Sequence, residues 1–384
     1  MLVARGVLSV LALLTPTVLI SQQVPVRELV KPEAISQEGF TKLVGLRELA
    51  DGRVVVVDEL DRLIRVLDPR LNNVTQLGRQ GSGPGEYMAP GSVFRLAGDS
   101  FAVHDTHNAR MVVITAAGAM SGFLDRFGAP PGTNAPDLKI PPMASDARGC
   151  FYGQSAPGVV ASTGNRVSLA ASAPVLRWCG RSLRRDTVAF VPVPESERAG
   201  TGAGRGLVVR MPAGPFSTRA QWAVADDGTL AVVTPDPYRV EIVRPDGTRR
   251  RGPVISYDRI RVTDAHKAEW RKEASAPTMS IAVGRDGSRS SRAITREPRE
   301  PSEWPAYLPP FLYEAVQSAP DGRFWVRRTT AAGRPGLYDI FDSSGVLVER
   351  VTVPRGSRLL GFGRNAVYLV TRDEMDLEYV ARYR

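Results

Sequence analysis

The sequence predicts an all-β fold: a six-bladed β-propeller of four-stranded antiparallel blades, its ring closed by an N-terminal strand, with a short helical insertion. Two self-alignments carry that prediction. Residues 98–118, GDSFAVHDTHNARMVVITAAG, lie on 227–247, DGTLAVVTPDPYRVEIVRPDG, without a gap at an offset of 129 residues. Residues 51–68, DGRVVVVDELDRLIRVLD, lie on 98–115 at an offset of 47, with Asp58 over Asp105. Self-similarity at fixed spacing is the mark of a repeat architecture, and it names an architecture without naming a substrate.

The N-terminus reads as a signal peptide, residues 1–21. Arg5 supplies a charge, Gly6 to Ile20 an apolar run, and Ser21-Gln22-Gln23 a polar boundary. That run is interrupted by Pro16 and falls short of the roughly 20 apolar residues that span a bilayer. The expected product is an exported monomer, periplasmic or extracellular and not membrane-spanning, with one propeller domain over 22–384.

Each repeat unit reads as a small meander. A Gly with Asp or Asn makes the tight turn, Val, Ile, Phe, Tyr and Trp fill the strands, and a second Gly turn follows. Residues 321–345 fit the pattern with about four extra residues in the hairpin, 363–383 fit with a shortened link, and 146–154 supply one strand of a degenerate unit. A lone meander leaves both faces wet, and stacking such sheets around an axis buries them. The last unit ends at Tyr383 without an outer strand, so Val24 to Val30 is expected to supply it and seal the ring.

Two insertions break the rhythm, at about 191–220 and 258–311. Just before the first, Ala173 to Cys179 and Asp186 to Val191 read as later strands of the third blade. Gly200 to Gly206 reads as a loop, since it lacks the parallel βαβ context of a phosphate cradle. The second opens with a helix signal from Thr263 as N-cap and continues through Pro298, Pro301, Pro305, Pro309 and Pro310 as an irregular excursion.

Gly78-Arg79-Gln80-Gly81-Ser82-Gly83-Pro84-Gly85-Glu86-Tyr87, then Pro90, then His104 to Met111, resembles the G-x-G-x-G-P-G-E-[FY] plus D-x-x-N-x-R-[IV] pattern of NHL-like repeats in bacterial six-bladed propellers. Blade 1 departs from it with Asp61-Arg62-Leu63 in place of Asn-x-Arg, and blade 3 lacks the link motif. The resemblance implies the ring. It leaves activity open, because the architecture serves binding modules, lyases and lactone hydrolases alike.

Propeller lactonases similar to this fold hold a divalent ion with carboxylates and Asn near the axis, which would nominate Glu86, Asp105, Asn108 and Asp236. Asp105 and Asn108 belong to the repeat, however, so hydrogen bonding of inter-blade turns is the favoured role, with Arg110 and Arg239 bridging to a neighbouring sheet. His104, His107 and His266 are the only histidines, and His104 and His107 point to opposite strand faces. No hydrolase elbow or zincin motif occurs. Cys150 and Cys179 are a disulfide candidate in an oxidising compartment.

The net charge of +10 comes almost wholly from Arg and concentrates at Arg249 to Arg251 and at Arg285, Arg289, Arg292, Arg296 and Arg299. Export, and the absence of aromatics among the last five, argue against nucleic acid. The leading expectation is an exported binding scaffold for an unknown protein or carbohydrate, without catalytic constellation or cofactor. The alternatives are a metal-dependent hydrolase or lyase at the axis, and adhesion to anionic envelope polymers through the Arg-rich surface.

Overall fold

The turn pairs read from the sequence close hairpins. Gly228, at φ +87°, sits in the turn that joins Gln221–Val224 to Leu230–Pro235, and a Cβ there would collide with the Arg148 guanidinium of the preceding blade. The left-handed backbone demands glycine, and a Cβ would also displace the Arg148 side chain. The structure is a computed structural model, and it describes residues 24–127, 140–163, 166–179, 184–203, 206–209, 215–283 and 289–384. The signal-peptide expectation falls on residues outside that set.

Six four-stranded antiparallel sheets form the ring. Blade 1 is Leu43–Glu48, Val54–Asp58, Leu63–Leu67 and Val74–Gln76; blade 2 is Pro90–Arg95, Phe101–Asp105, Arg110–Ile114 and Met120–Asp125. Blade 3 is Ala144–Ser145, Phe151–Gln154, Ser172–Trp178 and Asp186–Pro192; blade 4 is Gln221–Val224, Leu230–Pro235, Tyr238–Val243 and Arg249–Arg251. Blade 5 is Val316–Ser318, Phe324–Arg328, Gly336–Phe341 and Leu347–Val353, and blade 6 contains Arg358–Phe362, Val367–Arg372 and Glu378–Tyr383. The first strand of each blade is the inner one, and these strands stand side by side from 358–362 through 43–48, 90–95, 144–145 and 221–224 to 316–318.

An N-terminal strand closes the ring, but not the one expected. Ala34–Ile35 pairs antiparallel with Glu378–Tyr383 and supplies the outer strand of blade 6. The more strand-like run before it pairs elsewhere: Val26–Glu28 lies parallel to Leu347–Val353 as a fifth strand of blade 5. The reason is local. Leu29 is buried among Trp325, Tyr338, Val351 and Val353, and Arg27 Nε reaches Glu349 Oε1 at 2.7 Å, which fixes this segment on blade 5.

Blade interfaces hold the core. One cluster joins Val55, Val57 and Ile64 of blade 1 to Phe101, Val103 and Val112 of blade 2, and comparable clusters fill the other five interfaces. Alternating strand residues face the two neighbouring sheets, so each strand feeds two interfaces. Each fully buried aliphatic or aromatic side chain in them is worth about 1.5–3 kcal/mol against exposure.

Blade 3 carries an extra four-stranded sheet of Val159–Thr163, Arg166–Leu169, Ala199–Ala203 and Gly206–Val209. The glycine-rich stretch read as a loop therefore contains two paired strands; glycine lowers strand propensity, but ladder pairing to Arg166–Leu169 overrides it. Cys150 and Cys179 flank the paired strands Phe151–Gln154 and Ser172–Trp178 and are disulfide-bonded.

Candidate functional site: the covered end of the ring

A polar connection links the second and third strands of each blade at one end of the ring. In blades 1 and 2 a buried carboxylate organises it. Asp58 accepts the Thr41 amide at 2.8 Å and the Lys42 amide at 3.1 Å; Asp105 accepts the Met88 amide at 3.1 Å and the Ala89 amide at 3.0 Å. All three positions shift by the same 47 residues, so the hydrogen bonds repeat with the sequence. Burial pushes the Asp58 carboxyl above its ordinary range, with the amide bonds opposing.

The remaining sequence candidates fall into two places. Asn108 Nδ2 donates to Asp105 Oδ2 at 2.6 Å and to Gly81 O at 3.1 Å, and Arg110 donates to Ser82 O at 2.9 Å and to Glu86 O at 2.9 Å. Glu86 accepts the Gly83 amide and Arg79 Nε, both at 2.7 Å, and those donors hold its carboxyl below the usual range. These four residues thus pin the Gly81–Glu86 loop. Asp236 is exposed in the connection of blade 4, and Arg239 is the second residue of the strand after it, partly buried. Of the nominated residues, Asp105 and Glu86 are already bonded to amides and Arg79, and Asp236 stands apart in blade 4. Among the described residues no three His, Cys, Asp or Glu side chains are grouped to share a divalent ion.

The insertion after blade 4 covers this end. Its base is zipped by the Val262 amide to Ala306 O at 3.0 Å and the Leu308 amide to Ile260 O at 2.8 Å. Helix α1, Asp264–Ala274, starts after Thr263. His266 in its first turn is buried, and its Nε2 accepts the Ala332 amide at 3.0 Å. Its Nδ1 accepts the Thr263 amide at 3.1 Å and lies 2.8 Å from Thr263 Oγ1, which closes a capping box at the helix start. Glu269 Oε1 accepts the Gly333 amide at 2.9 Å, and Lys272 Nζ meets Asp376 Oδ1 at 3.0 Å. A hairpin, Thr278–Val283 with Arg289–Ile294, continues the cover, where Ser291 O accepts from Arg62 at 2.7 Å and Ser291 Oγ lies 3.2 Å from His107 Nδ1. The insertion therefore touches the connections of blades 5, 6, 1 and 2 in turn.

Ion pairs mark the opposite end. Arg47 and Arg95 share Asp99 Oδ1 at 3.2 and 3.1 Å, and Arg95 also pairs with Asp226 of blade 4. Burial, then Arg95, lowers the Arg47 pKa. The outer-strand arginines Arg249 and Arg251 flank Glu241 at 3.6 Å, while Arg292, Arg296 and Arg299 of the cover are exposed.

A cavity of about 820 Å³ opens beside the base of the cover, on blade 5. Its walls come from Glu28 to Val30, Ser256 to Ile260, Arg328 to Leu337 and the end of the Leu347–Val353 strand. At its floor, the fully buried Asp339 takes Arg328 Nη1 at 2.7 Å, Arg350 Nε at 3.0 Å and Tyr238 OH at 2.9 Å. Burial, followed by the Asp339 charge, raises the Tyr238 pKa well above the ordinary phenol value and keeps it a donor. Sequence reading missed this network. The signal was present: Phe324–Arg328 lies on Phe101–Asp105, so Arg328 stands where blade 2 has Asp105.

Among the described residues, no helix is long and apolar enough to cross a membrane. No family model matches the sequence, and no curated protein matches it. The chain is similar to several solved structures. They include a member of the DUF4221 family from Bacteroides vulgatus, 8% identical over 91% of this chain and 95% of that one, TM-score 0.45. A calcium-binding protein, regucalcin, from Agrobacterium tumefaciens is 10% identical over 94% and 98%, TM-score 0.39. A gluconolactonase from Xanthomonas campestris is 12% identical over 90% and 87%, TM-score 0.39.

Proposed function

We propose that this chain is an exported, NHL-like propeller that works as a binding scaffold, and that it recognises a protein or carbohydrate partner with the covered end of the ring. The observation that carries the reading is the cover itself, held by side-chain and backbone bonds to the connections of four blades. Loops fixed on a rigid ring make precise recognition surfaces, and a long excursion ordered over one end is the element with least use to the core. The exposed Arg292, Arg296 and Arg299 bias it toward acidic partners. Export rests on the apolar run Gly6 to Ile20 and its polar boundary.

The test uses the mature chain and a variant that lacks residues 263–305. Arg261 and Tyr307 face each other in an antiparallel bridge, so an Asn-Gly join leaves the base of the insertion paired. Isolated envelope polysaccharides and envelope proteins are presented to both in a binding screen, and circular dichroism checks that the ring persists. A partner bound by the full chain and lost by the folded variant supports the reading. Equal binding by both overturns it, as does turnover of lactones or esters by the full chain.

A further inference from the structure

The cavity on blade 5 goes beyond that reading, because no residue of the excised cover lines it. Its floor is unusual within the repeat. Where Asp58 and Asp105 accept backbone amides, Arg328 reverses the polarity and donates Nε to Pro310 O at 2.8 Å. Its side chain is only 7% exposed, and Tyr238 and Tyr257 lie 5.0 and 5.3 Å from its guanidinium carbon. Burying a guanidinium is expensive, and the fold needs no cation here, since two other blades use a carboxylate.

Within the buried cluster, cations outnumber anions. Arg328 and Arg350 share the single carboxylate of Asp339. Arg328 commits Nε and Nη1, and Arg350 commits Nε alone; both residues line the cavity, and none of their remaining guanidinium nitrogens is sealed away from solvent. The Arg328–Arg350–Asp339 cluster thus carries one net positive charge with free, planar donors, while Glu28, Asp258 and Arg334 elsewhere in the lining bring the cavity as a whole to neutrality. Such a fork matches the two oxygens of a carboxylate. Above it, Leu29, Ile260, Leu337 and Val353 give an apolar wall, and the volume falls within the range of small-molecule sites.

We propose that this cavity binds an organic carboxylate with an aliphatic body, its oxygens taken by the free guanidinium donors of Arg328 and Arg350 and its chain laid on Leu29, Ile260 and Val353. The N-terminal strand is part of the site, because Glu28 to Val30 form one wall only by pairing with blade 5.

Octanoate and octanamide, equal in length and different in charge, are the probes, read by isothermal titration calorimetry on the mature chain. Octanoate is expected to saturate one site per chain, and octanamide to bind about tenfold more weakly or worse, because a charge-assisted hydrogen bond is lost. Arg350→Gln should weaken octanoate by a similar factor. Ala331→Trp, at an exposed residue of the cavity mouth outside the buried network, should weaken both probes with no change in melting temperature. That variant decides the matter if Arg350→Gln does not fold. No saturable octanoate binding by the full chain up to about 5 mM, equal binding of the two probes, or wild-type octanoate affinity in folded Ala331→Trp would each overturn the proposal. The variant lacking 263–305 should still bind octanoate, which separates this site from the partner surface.

Discussion

The Leu43 amide donates to Glu378 Oε2 at 2.7 Å across the seam where the last blade meets the first. Glu378 is fully buried and also takes Arg358 and Arg372, each at 2.8 Å, so one carboxylate serves a backbone and two guanidinium groups. Replacing it with alanine strands Arg358 and the amide together. The expected cost is about 3–5 kcal/mol in urea unfolding, as for other broken buried pairs. A loss below about 1 kcal/mol would show that the seam does not depend on this residue.

The two N-terminal strands should separate in their effects. Removing the chain through Val30 strips the fifth strand from blade 5 and exposes the face that Leu29 covers, an expected loss of about 1.5–3 kcal/mol. Removing it through Ser36 also takes the outer strand of blade 6 and the Ser36 Oγ bond to the Val380 amide at 3.0 Å, and should broaden or abolish the cooperative melt. Scanning calorimetry distinguishes the two. Identical melts would mean that Ala34–Ile35 closes nothing.

Gly252 and Gly345 meet where blade 4 hands over to blade 5. A Cβ on Gly252 would overlap Gly345 O, which is backbone and cannot rotate away. Gly252→Ala should therefore cost about 1–3 kcal/mol, as overpacking does in a close-packed interior. Chemical denaturation measures it, and a neutral result would place slack in that interface.

The Cys150–Cys179 bond encloses a sequence separation of 29 residues that includes half of the extra sheet. Changing both cysteines to serine should lower stability by about 2–5 kcal/mol, chiefly through a freer unfolded chain. Mass spectrometry of the alkylated native chain checks the bond first, since two alkylated thiols would remove the basis of the prediction.

His104 gives stability a pH slope of known sign. Burial lowers its pKa below the ordinary 6.5, with Asp105 opposing. Below pH 6.5 the unfolded chain then binds a proton that the folded chain resists, so stability falls as pH drops through that window and is restored above it. His104→Gln should flatten the slope between about pH 5 and 7, read as urea midpoints. An unchanged slope would assign it to another group.

The ring was legible because its hydrogen bonds repeat with its sequence. Asp58 and Asp105 align in the chain and do the same work in space, and the cap at Thr263 announced α1 where it stands. Strand choice at the N-terminus was less legible: Val26–Glu28 has the stronger β pattern, yet two residues beyond Pro32 close the ring, because position relative to blade 6 outweighs propensity. The cavity was invisible for a different reason. Its walls come from four stretches brought together from both ends and the middle of the chain, and only the Arg328-for-Asp105 exchange within the repeat marks where it lies.

Closure by Ala34–Ile35 also sets an order of events. These residues leave the ribosome, and cross any export channel N-terminus first, long before Glu378–Tyr383, their strand partner. The final sheet cannot form until the whole repeat array has emerged. Until then the chain is an open arc with unsatisfied edges at both ends. Completion is thus a single late event that joins an early-made strand to the last, and the ring's cooperativity and its risk of mispairing with another copy both reside in that step.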